Sequence, residues 1–217
     1  MNLKLTLILL LTIVQFSWAQ ECDFEIRILS NKLSGETNLI EKSEYDNAGI
    51  SGSAIELKPM SELELTKKYP KIFKLKDSCL IYISELNDNN KLCKNRVQTK
   101  EYSDYTLKGI YSGFALIETI GYESWGFISV DLKNGLSFYT MGKPLTSNGE
   151  TSIAYSNYYG EEEISLTDLK TKKSYVIGIE GWRTVESKVF ENIYYLKLEP
   201  EFQTDCKKEL KYLKIKN

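Results

Sequence analysis

The chain has 217 residues, of which 42% are apolar and 27% are charged, and its formal net charge is −2. This composition is typical of a globular protein, and it argues against intrinsic disorder and against a coiled coil. The weak negative charge gives no support for nucleic-acid binding, and the absence of histidine excludes His-dependent nucleophilic catalysis and His-ligated zinc.

The N-terminal residues 1–19 have the pattern of a secretory signal peptide. Lys4 supplies a positive charge, an apolar segment follows over 5–14, and Ser17 and Ala19 are the small residues that precede a cleavage site. The apolar segment is too short to span about 30 Å of hydrocarbon as a helix. We therefore expect cleavage after Ala19, no integral membrane segment afterwards, and a periplasmic or secreted mature protein.

Four cysteines remain after this cleavage. An even number of cysteines in an exported protein favours disulfide bonds, and four cysteines permit three pairings. We favour Cys79–Cys93, because these residues flank an Asn/Asp-rich turn at 87–90, and this leaves Cys22–Cys206 to join the two ends. No C-x-x-C spacing occurs that would favour a metal site.

Short alternating runs of apolar and polar residues, separated by turn residues, predict a β-rich protein. Strands are predicted at 24–28, 79–83, 92–97, 105–111, 114–120, 126–130, 136–140 and 212–216. A helix is predicted where Ser61 and Glu64 form a capping-box pattern and Pro70 ends the segment. Asn134-Gly135 predicts a two-residue hairpin loop of type I′. The alternating lysines of 212–216 predict a closing or edge strand that resists pairing with other chains.

A near-repeat links two segments of the C-terminal half. Residues 127–138 recur as 164–175, so that Asp131-Leu132-Lys133 aligns with Asp168-Leu169-Lys170 at a shift of 37 residues. A period of about 40 residues made of short antiparallel strands is typical of one propeller blade. Because the two aspartates hold equivalent positions before a turn, we expect each carboxylate to cap its own turn.

Two segments resemble the blade junction of WD40-like β-propellers. They are the Gly-x-Pro and Ser-Asn-Gly elements of 142–150 and the Ile-Ser-x-x-Asp-Leu-Lys element of 164–170, and the resemblance covers about residues 113–198. The Trp-Asp and Gly-His signatures of that family are absent. The chain also resembles functionally uncharacterised exported bacterial proteins with the Tyr-Glu-x-x-Gly-Phe pattern found at 122–127. The resemblance implies four-stranded meander sheets and transfers no activity.

The sequence therefore predicts an all-β fold of antiparallel meander sheets that are similar to propeller blades. We expect a partial propeller rather than a closed ring, with one short helix near residues 61–69. An irregular β-rich region at 20–105 and a blade-like β region at 106–217 are expected to form one domain.

Aromatic and acidic residues cluster at predicted turns, where the loops between strands meet on one edge. Aromatic rings with nearby carboxylates can stack on a sugar or bind a partner's cations and hydroxyl groups. Tyrosine is also common on the packed faces of β-sheets. The candidate binding residues are Tyr122, Glu123, Trp125, Tyr158, Tyr159 and Trp182.

A carboxylate-dependent glycan hydrolase is the alternative interpretation, with Glu123 paired to Glu163 or to Asp131. Such chemistry needs two suitably spaced carboxyl groups and no histidine. Because 30 acidic residues make a pair easy to find, the sequence favours a non-catalytic binding or scaffolding protein for an unknown protein or glycan. It indicates no cofactor and no metal, since the segments at 46–47 and 87–90 lack the spacing of a calcium loop.

Overall fold

The structure is a computed structural model, and it describes residues 23–49, 55–86, 89–97, 103–146, 149–201 and 209–217. The predicted signal peptide at 1–19 and the predicted Cys22–Cys206 disulfide lie outside these ranges. Within them, no helix has the length and the apolar character that crossing a membrane requires.

The described residues form fifteen strands and two short helices. The helices are α1 (Lys42–Asn47) and α2 (Glu62–Lys68). The first seven strands are β1 (Arg27–Asn31), β2 (Glu36–Leu39), β3 (Phe73–Lys76), β4 (Cys79–Ile83), β5 (Asn89–Cys93), β6 (Ser103–Tyr111) and β7 (Phe114–Gly121). The others are β8 (Ser124–Asp131), β9 (Ser137–Thr140), β10 (Thr151–Tyr158), β11 (Glu161–Asp168), β12 (Ser174–Glu180), β13 (Trp182–Phe190), β14 (Ile193–Pro200) and β15 (Lys211–Lys216).

These strands form four open antiparallel sheets, which confirms the predicted all-β fold. Sheet 1 has the order β3-β4-β5, and sheet 2 has the order β6-β7-β8-β9. Sheet 3 has the order β10-β11-β12-β1, and sheet 4 has the order β13-β14-β15-β2. The two N-terminal strands therefore complete the sheets that the C-terminal part of the chain begins.

Helix α2 begins at the predicted capping box. The Glu64 amide donates to Ser61 Oγ at 3.2 Å, and the Ser61 amide donates to Glu64 Oε2 at 2.8 Å. Helix α1 is an addition to the prediction, because Glu41 provides no side-chain cap that a sequence pattern could reveal. It is instead held by the buried ring of Tyr45, which packs on Tyr195 and Tyr212 of sheet 4.

The predicted Cys79–Cys93 disulfide is confirmed, and it joins β4 to β5 at directly paired positions. This pairing also places β5 earlier in the chain than the predicted strand at 92–97. At the N-terminus, β1 begins at Arg27, because Phe24 and Ile26 pack against the core of sheets 3 and 4 instead of extending the strand.

Two further predictions need correction. Strand β15 pairs with β14 on one side and with β2 on the other, so it is an interior strand and its lysines protect no edge. The β8–β9 hairpin has a loop of five residues, 132–136, in which the Gly135 amide donates to the Asp131 carbonyl at 2.8 Å. Only Gly135 has a positive φ there, at 72°, so the predicted type I′ turn is wrong.

The hydrophobic residues form cores that are shared between sheets. The largest core joins sheets 3 and 4, and it includes Ile153, Ile164, Ile177, Trp182, Leu196, Leu198 and Leu213. A second core joins sheets 1 and 2 beneath α2, and Leu169 from sheet 3 packs with aromatic residues of sheet 2 in a third. Because full burial of one large apolar side chain contributes about 1.5–3 kcal/mol, these shared cores hold the sheets together.

The near-repeat occupies equivalent strands of sheets 2 and 3. Strand β7 starts at Phe114 and β10 starts at Thr151, and the partners of these residues are Asp131 and Asp168, so both pairs differ by 37 positions. The fourth strand breaks the equivalence. In sheet 2 this strand is β6, which lies beside β7. In sheet 3 it is β1, which lies beside β12 rather than beside β10.

Candidate functional site

The candidate site is a surface formed by two hairpin turns of neighbouring sheets. The β7–β8 turn and the β10–β11 turn occupy equivalent positions of the repeat, and the Tyr158 hydroxyl donates to the Glu123 carbonyl at 2.5 Å. We call this surface the aromatic rim. It contains Tyr122, Glu123, Trp125, Tyr139, Tyr158, Tyr159 and Glu163, so the structure brings together five of the six predicted residues.

Three tyrosine rings of the rim are open to solvent. Tyr159 is 84% exposed, Tyr122 is 51% exposed and Tyr139 is 49% exposed. The rings of Tyr158 and Tyr159 meet edge to face, with their centroids 4.3 Å apart. Several exposed aromatic rings on one edge form an apolar surface of the kind that binds a ligand, whereas single exposed residues are ordinary.

Both turns hold non-glycine residues in the left-handed region of the backbone. Glu123 has a φ of 52° and Tyr159 has a φ of 51°. This conformation costs an L-residue roughly 1–2 kcal/mol, and a glycine would avoid that cost. Other hairpin turns of the described residues have the same conformation, for example at Ser112 and Glu191, so it fixes the shape of the two turns that carry the exposed ring and the exposed carboxylate without itself marking a site.

Hydrogen bonds fix the positions of two more rings. The Trp125 indole donates to Glu118 Oε1 at 3.2 Å, and the Tyr139 hydroxyl donates to the Trp125 carbonyl at 2.7 Å. The Tyr139 ring lies across Gly126, and a Cβ added to Gly126 would collide with that ring. These two rings of the rim are therefore held in place before a ligand arrives.

Glu163 is the half-buried carboxyl group of the rim. Burial raises the pKa of Glu163, the neighbouring Glu161 raises it further, and a hydrogen bond from the Met141 amide opposes them. Burial also raises the pKa of Tyr139, to which the negative charge of Glu163 contributes. A protonatable acid thus lies beside exposed aromatic rings.

Trp182 does not belong to the rim. It is 0% exposed, its ring meets Phe24 edge to face, and its indole donates to the Asp23 carbonyl at 2.9 Å. A ligand arriving from solvent does not reach it. The local sequence Glu-Gly-Trp-Arg places Trp182 after a turn, but its burial depends on the packing of sheet 3 against sheet 4.

The proposed pairing of Glu123 with Asp131 for glycoside hydrolysis is wrong. The two residues lie at opposite ends of β8, about 25 Å apart at the usual rise of a strand, whereas catalytic carboxyl groups lie within about 10 Å. The expected turn-capping role of both aspartates is confirmed. Asp131 Oδ1 accepts from the Lys133 amide at 2.9 Å, and Asp168 Oδ1 accepts from the Thr171 amide at 2.6 Å.

A buried carboxyl group outside the rim is not evident from the sequence. Glu162, the residue equivalent to Trp125 in the repeat, is 1% exposed and accepts from the Thr184 amide at 2.9 Å. Burial raises the pKa of Glu162 to about 7, and the nearby Glu201 adds to this effect. Residues 161–163 are three consecutive glutamates of one strand. Because successive side chains of a strand point to opposite faces, Glu162 is buried while its two neighbours are not fully buried.

Across the part of the chain that the structure describes, no group of three or more Cys, Asp or Glu residues could hold a metal ion. Comparison of the chain with protein-family models, curated proteins and solved structures gives no match. The function is therefore inferred from the residues of the rim themselves.

Proposed function

We propose that the chain is an exported, non-catalytic binding protein that holds a glycan on the aromatic rim. The observation that carries this proposal is the hydrogen bond between Tyr158 and Glu123, which joins two equivalent turns into one exposed aromatic surface. Tyr122, Tyr139 and Tyr159 supply ring faces along that surface.

The chemistry of the rim favours a sugar as the ligand. A sugar ring has an apolar C–H face, which stacks on an aromatic ring, and a hydroxyl edge, which donates hydrogen bonds to carboxylates. Glu123 and Glu163 lie beside the rings as acceptors. Because hydrogen bonds hold the rings of Trp125, Tyr139 and Tyr158 before the ligand arrives, these three rings need little further ordering on binding.

Two observations support export. The N-terminal residues 1–19 have the signal pattern, and the Cys79–Cys93 disulfide is of the kind that persists in oxidising compartments outside the cytosol.

The regions 20–105 and 106–217 are proposed to form one domain, since β1 and β2 pair with β12 and β15.

We also propose that the four sheets are blades of a partial β-propeller related to the WD40-like proteins. The constant shift of 37 residues between sheets 2 and 3 supports this relationship. The different position of the fourth strand means that the two sheets are not simple copies of one blade. Successive sheets that do not pack around a common axis in a crystal structure would exclude it.

A glycan array followed by calorimetry tests the binding function. We expect Tyr159→Ala and Tyr122→Ala each to weaken binding of a retained glycan about tenfold, because a stacked aromatic contact contributes about 1–1.5 kcal/mol. Phe190→Ala is the matched control, since Phe190 is an exposed ring of sheet 4. Equal losses in the control and in the rim variants, or retention of the chain by no glycan of the array, would refute the glycan assignment.

Glu163 supports one second candidate, the glycan hydrolase. A carboxyl group with a raised pKa is the usual general acid of a glycosidase, and Glu123 lies in the same rim. The test is turnover of the glycans that the array retains. Hydrolysis that Glu163→Gln abolishes without loss of binding would establish an enzyme, and the absence of turnover in the parent chain would exclude it.

A further inference from the structure

The aromatic rim carries carboxylates that no cation of the described residues neutralises. Glu123 is exposed and Glu163 is half-buried, and neither forms an ion pair with a lysine or an arginine in the described ranges. Glu180, which pairs with Glu161 in the register of β12 and β11, is another exposed acid without such an ion pair there. These carboxylates are the uncompensated charges of the rim and its border.

The cations on the neighbouring strands are paired with other carboxylates. These pairs are Lys108 with Glu118, Arg27 with Glu161, and Arg183 with Glu199. Lys143, on the segment that joins β9 to β10, is exposed, but no lysine or arginine contributes to the pKa of Glu163 or of Tyr139. The charge that the described residues present to a ligand at the rim is therefore negative.

Both rim carboxylates lie beside tyrosine hydroxyl groups. Burial and the adjacent Tyr159 raise the pKa of Tyr158, and the negative charge of Glu123 raises it further. Burial raises the pKa of Tyr139, and Glu163 and Tyr158 add to this effect. Because the energy between charges falls with distance, these effects require that the carboxylates and the tyrosines lie close together. The acids and the rings therefore belong to one surface.

An ammonium group is the ligand group that this surface favours. It forms charge-assisted hydrogen bonds with carboxylates, and the negative face of an aromatic ring attracts it. A neutral sugar gains only the stacking contact, and a uronate is repelled by the carboxylates. A sugar ring that carries an amine combines the apolar C–H face with the positive charge.

We propose that the glycan held on the aromatic rim is an amino-sugar polymer with free amines, whose ammonium groups pair with Glu123 and Glu163. This inference rests on the proposed glycan-binding function and deepens it, because it names the chemical class of the glycan. The rings of Tyr122, Tyr139 and Tyr159 supply the stacking contacts, and the two carboxylates select for positive charge.

Calorimetry with three hexasaccharides tests the proposal at a pH at which sugar amines are protonated and Glu123 is ionised. The probes are the hexamers of glucosamine, N-acetylglucosamine and galacturonate. We expect the glucosamine hexamer to bind about tenfold more tightly than its acetylated counterpart, as one charge-assisted hydrogen bond contributes, and the galacturonate hexamer to bind most weakly. Equal or tighter binding of the acetylated hexamer overturns this inference and leaves glycan binding standing. Binding of none of the three, while the array retains another glycan, overturns this inference alone, and the absence of any bound glycan refutes both.

Variants of the carboxylates separate specific pairing from general attraction of charge. Glu123→Gln keeps the shape of the side chain, and we expect it to weaken binding of the glucosamine hexamer about tenfold and to leave the acetylated hexamer unchanged. The double variant Glu123→Gln/Glu163→Gln should bind both hexamers equally. Glu56→Gln is the matched control, because Glu56 is exposed and lies near the Lys58–Ile110 bridge, at the end of β6 away from the rim. A preference that persists in the double variant, or an equal loss in Glu56→Gln, overturns the proposal.

A lysine hexapeptide distinguishes an amino sugar from a basic peptide. The peptide carries ammonium groups but lacks the C–H faces that stack on the rings. Weaker binding of the peptide than of the glucosamine hexamer supports the proposal. Equal or tighter binding of the peptide overturns it.

Discussion

The ammonium of Lys172 lies 2.6 Å from the carboxylate of Asp131, and this pair connects the two copies of the repeat. The residue equivalent to Lys172 in the first copy is Gly135, where any side chain would collide with the backbone of Ile83 in sheet 1. The copies therefore differ at this position because their neighbours differ. In the first copy, Gly135 leaves room for the backbone of sheet 1. In the second copy, the long side chain of Lys172 extends to Asp131 of the first copy.

The Lys172–Asp131 pair is expected to contribute strongly to stability, because the side chains are only 8% and 15% exposed. Lys172→Met leaves a nearly buried carboxylate without its partner, and we expect a loss of about 3–5 kcal/mol in the free energy of unfolding. Urea denaturation measures this loss. Asp131→Asn combined with Lys172→Met should recover much of it, since asparagine can still cap the turn. A loss no larger than that of Lys170→Met would contradict the prediction.

Stability is expected to fall as the pH rises from about 4.5 to about 7, because of Glu162. Its pKa is raised from 4.5 to about 7 by burial, so in this window the folded state holds a proton that the unfolded state has lost. Because the unfolded state binds fewer protons, raising the pH favours the unfolded state. The free energy of unfolding therefore falls by about 3 kcal/mol in total across this window.

Glu162→Gln should remove this dependence, because glutamine can still accept from the Thr184 amide and carries no charge at any pH. The free energy of unfolding, measured at several pH values between 4 and 8, is expected to be flatter for the variant and higher than the parent value above pH 7. Glu56→Gln, at an exposed position, is the control. Parallel curves for the parent and Glu162→Gln would show that Glu162 is not the titrating group.

The Cys79–Cys93 disulfide closes a loop with a sequence separation of 14 residues. The loss of chain entropy in the unfolded state predicts a stabilisation of about 3 kcal/mol for a loop of this size. The double variant Cys79→Ser/Cys93→Ser should therefore unfold at lower urea concentration, while binding at the aromatic rim, which belongs to other sheets, should persist. Loss of rim binding in a variant that remains folded would show coupling between sheet 1 and the rim.

Gly126 is expected to be required for the shape of the aromatic rim. In Gly126→Ala the new methyl group displaces the ring of Tyr139, which breaks its hydrogen bond to the Trp125 carbonyl. We expect a loss of roughly 1–3 kcal/mol in stability, as for other overpacked sites, together with weaker ligand binding. Adding Tyr139→Ala should restore stability but not binding. Near-ultraviolet circular dichroism and calorimetry distinguish these outcomes.

Local patterns predicted the features whose partners lie close in sequence. The capping box of α2, the Cys79–Cys93 pair and the turn-capping aspartates each depend on residues within one turn or one hairpin. Features set by distant segments were not accessible in the same way. Trp182 is buried because sheet 3 packs on sheet 4, and β15 is interior because β2, far away in the chain, covers its side.

The candidate site shows the same division. Alternation and turn residues placed Tyr122, Glu123, Tyr158 and Tyr159 at strand ends, and the shift of 37 residues makes Tyr122 and Tyr159 equivalent. The contribution of Tyr139 and Glu163 depends on how neighbouring strands and sheets lie against each other, which no local pattern specifies.

The pairing of β1 with β12 and of β2 with β15 has a consequence for how the protein is made. Synthesis delivers β1, which ends at Asn31, long before β12, which begins at Ser174, so the first strands must wait unpaired for nearly the whole polypeptide. Such long-range contacts slow folding. A nascent chain with this topology cannot complete its last two sheets until nearly all of its residues have been synthesised.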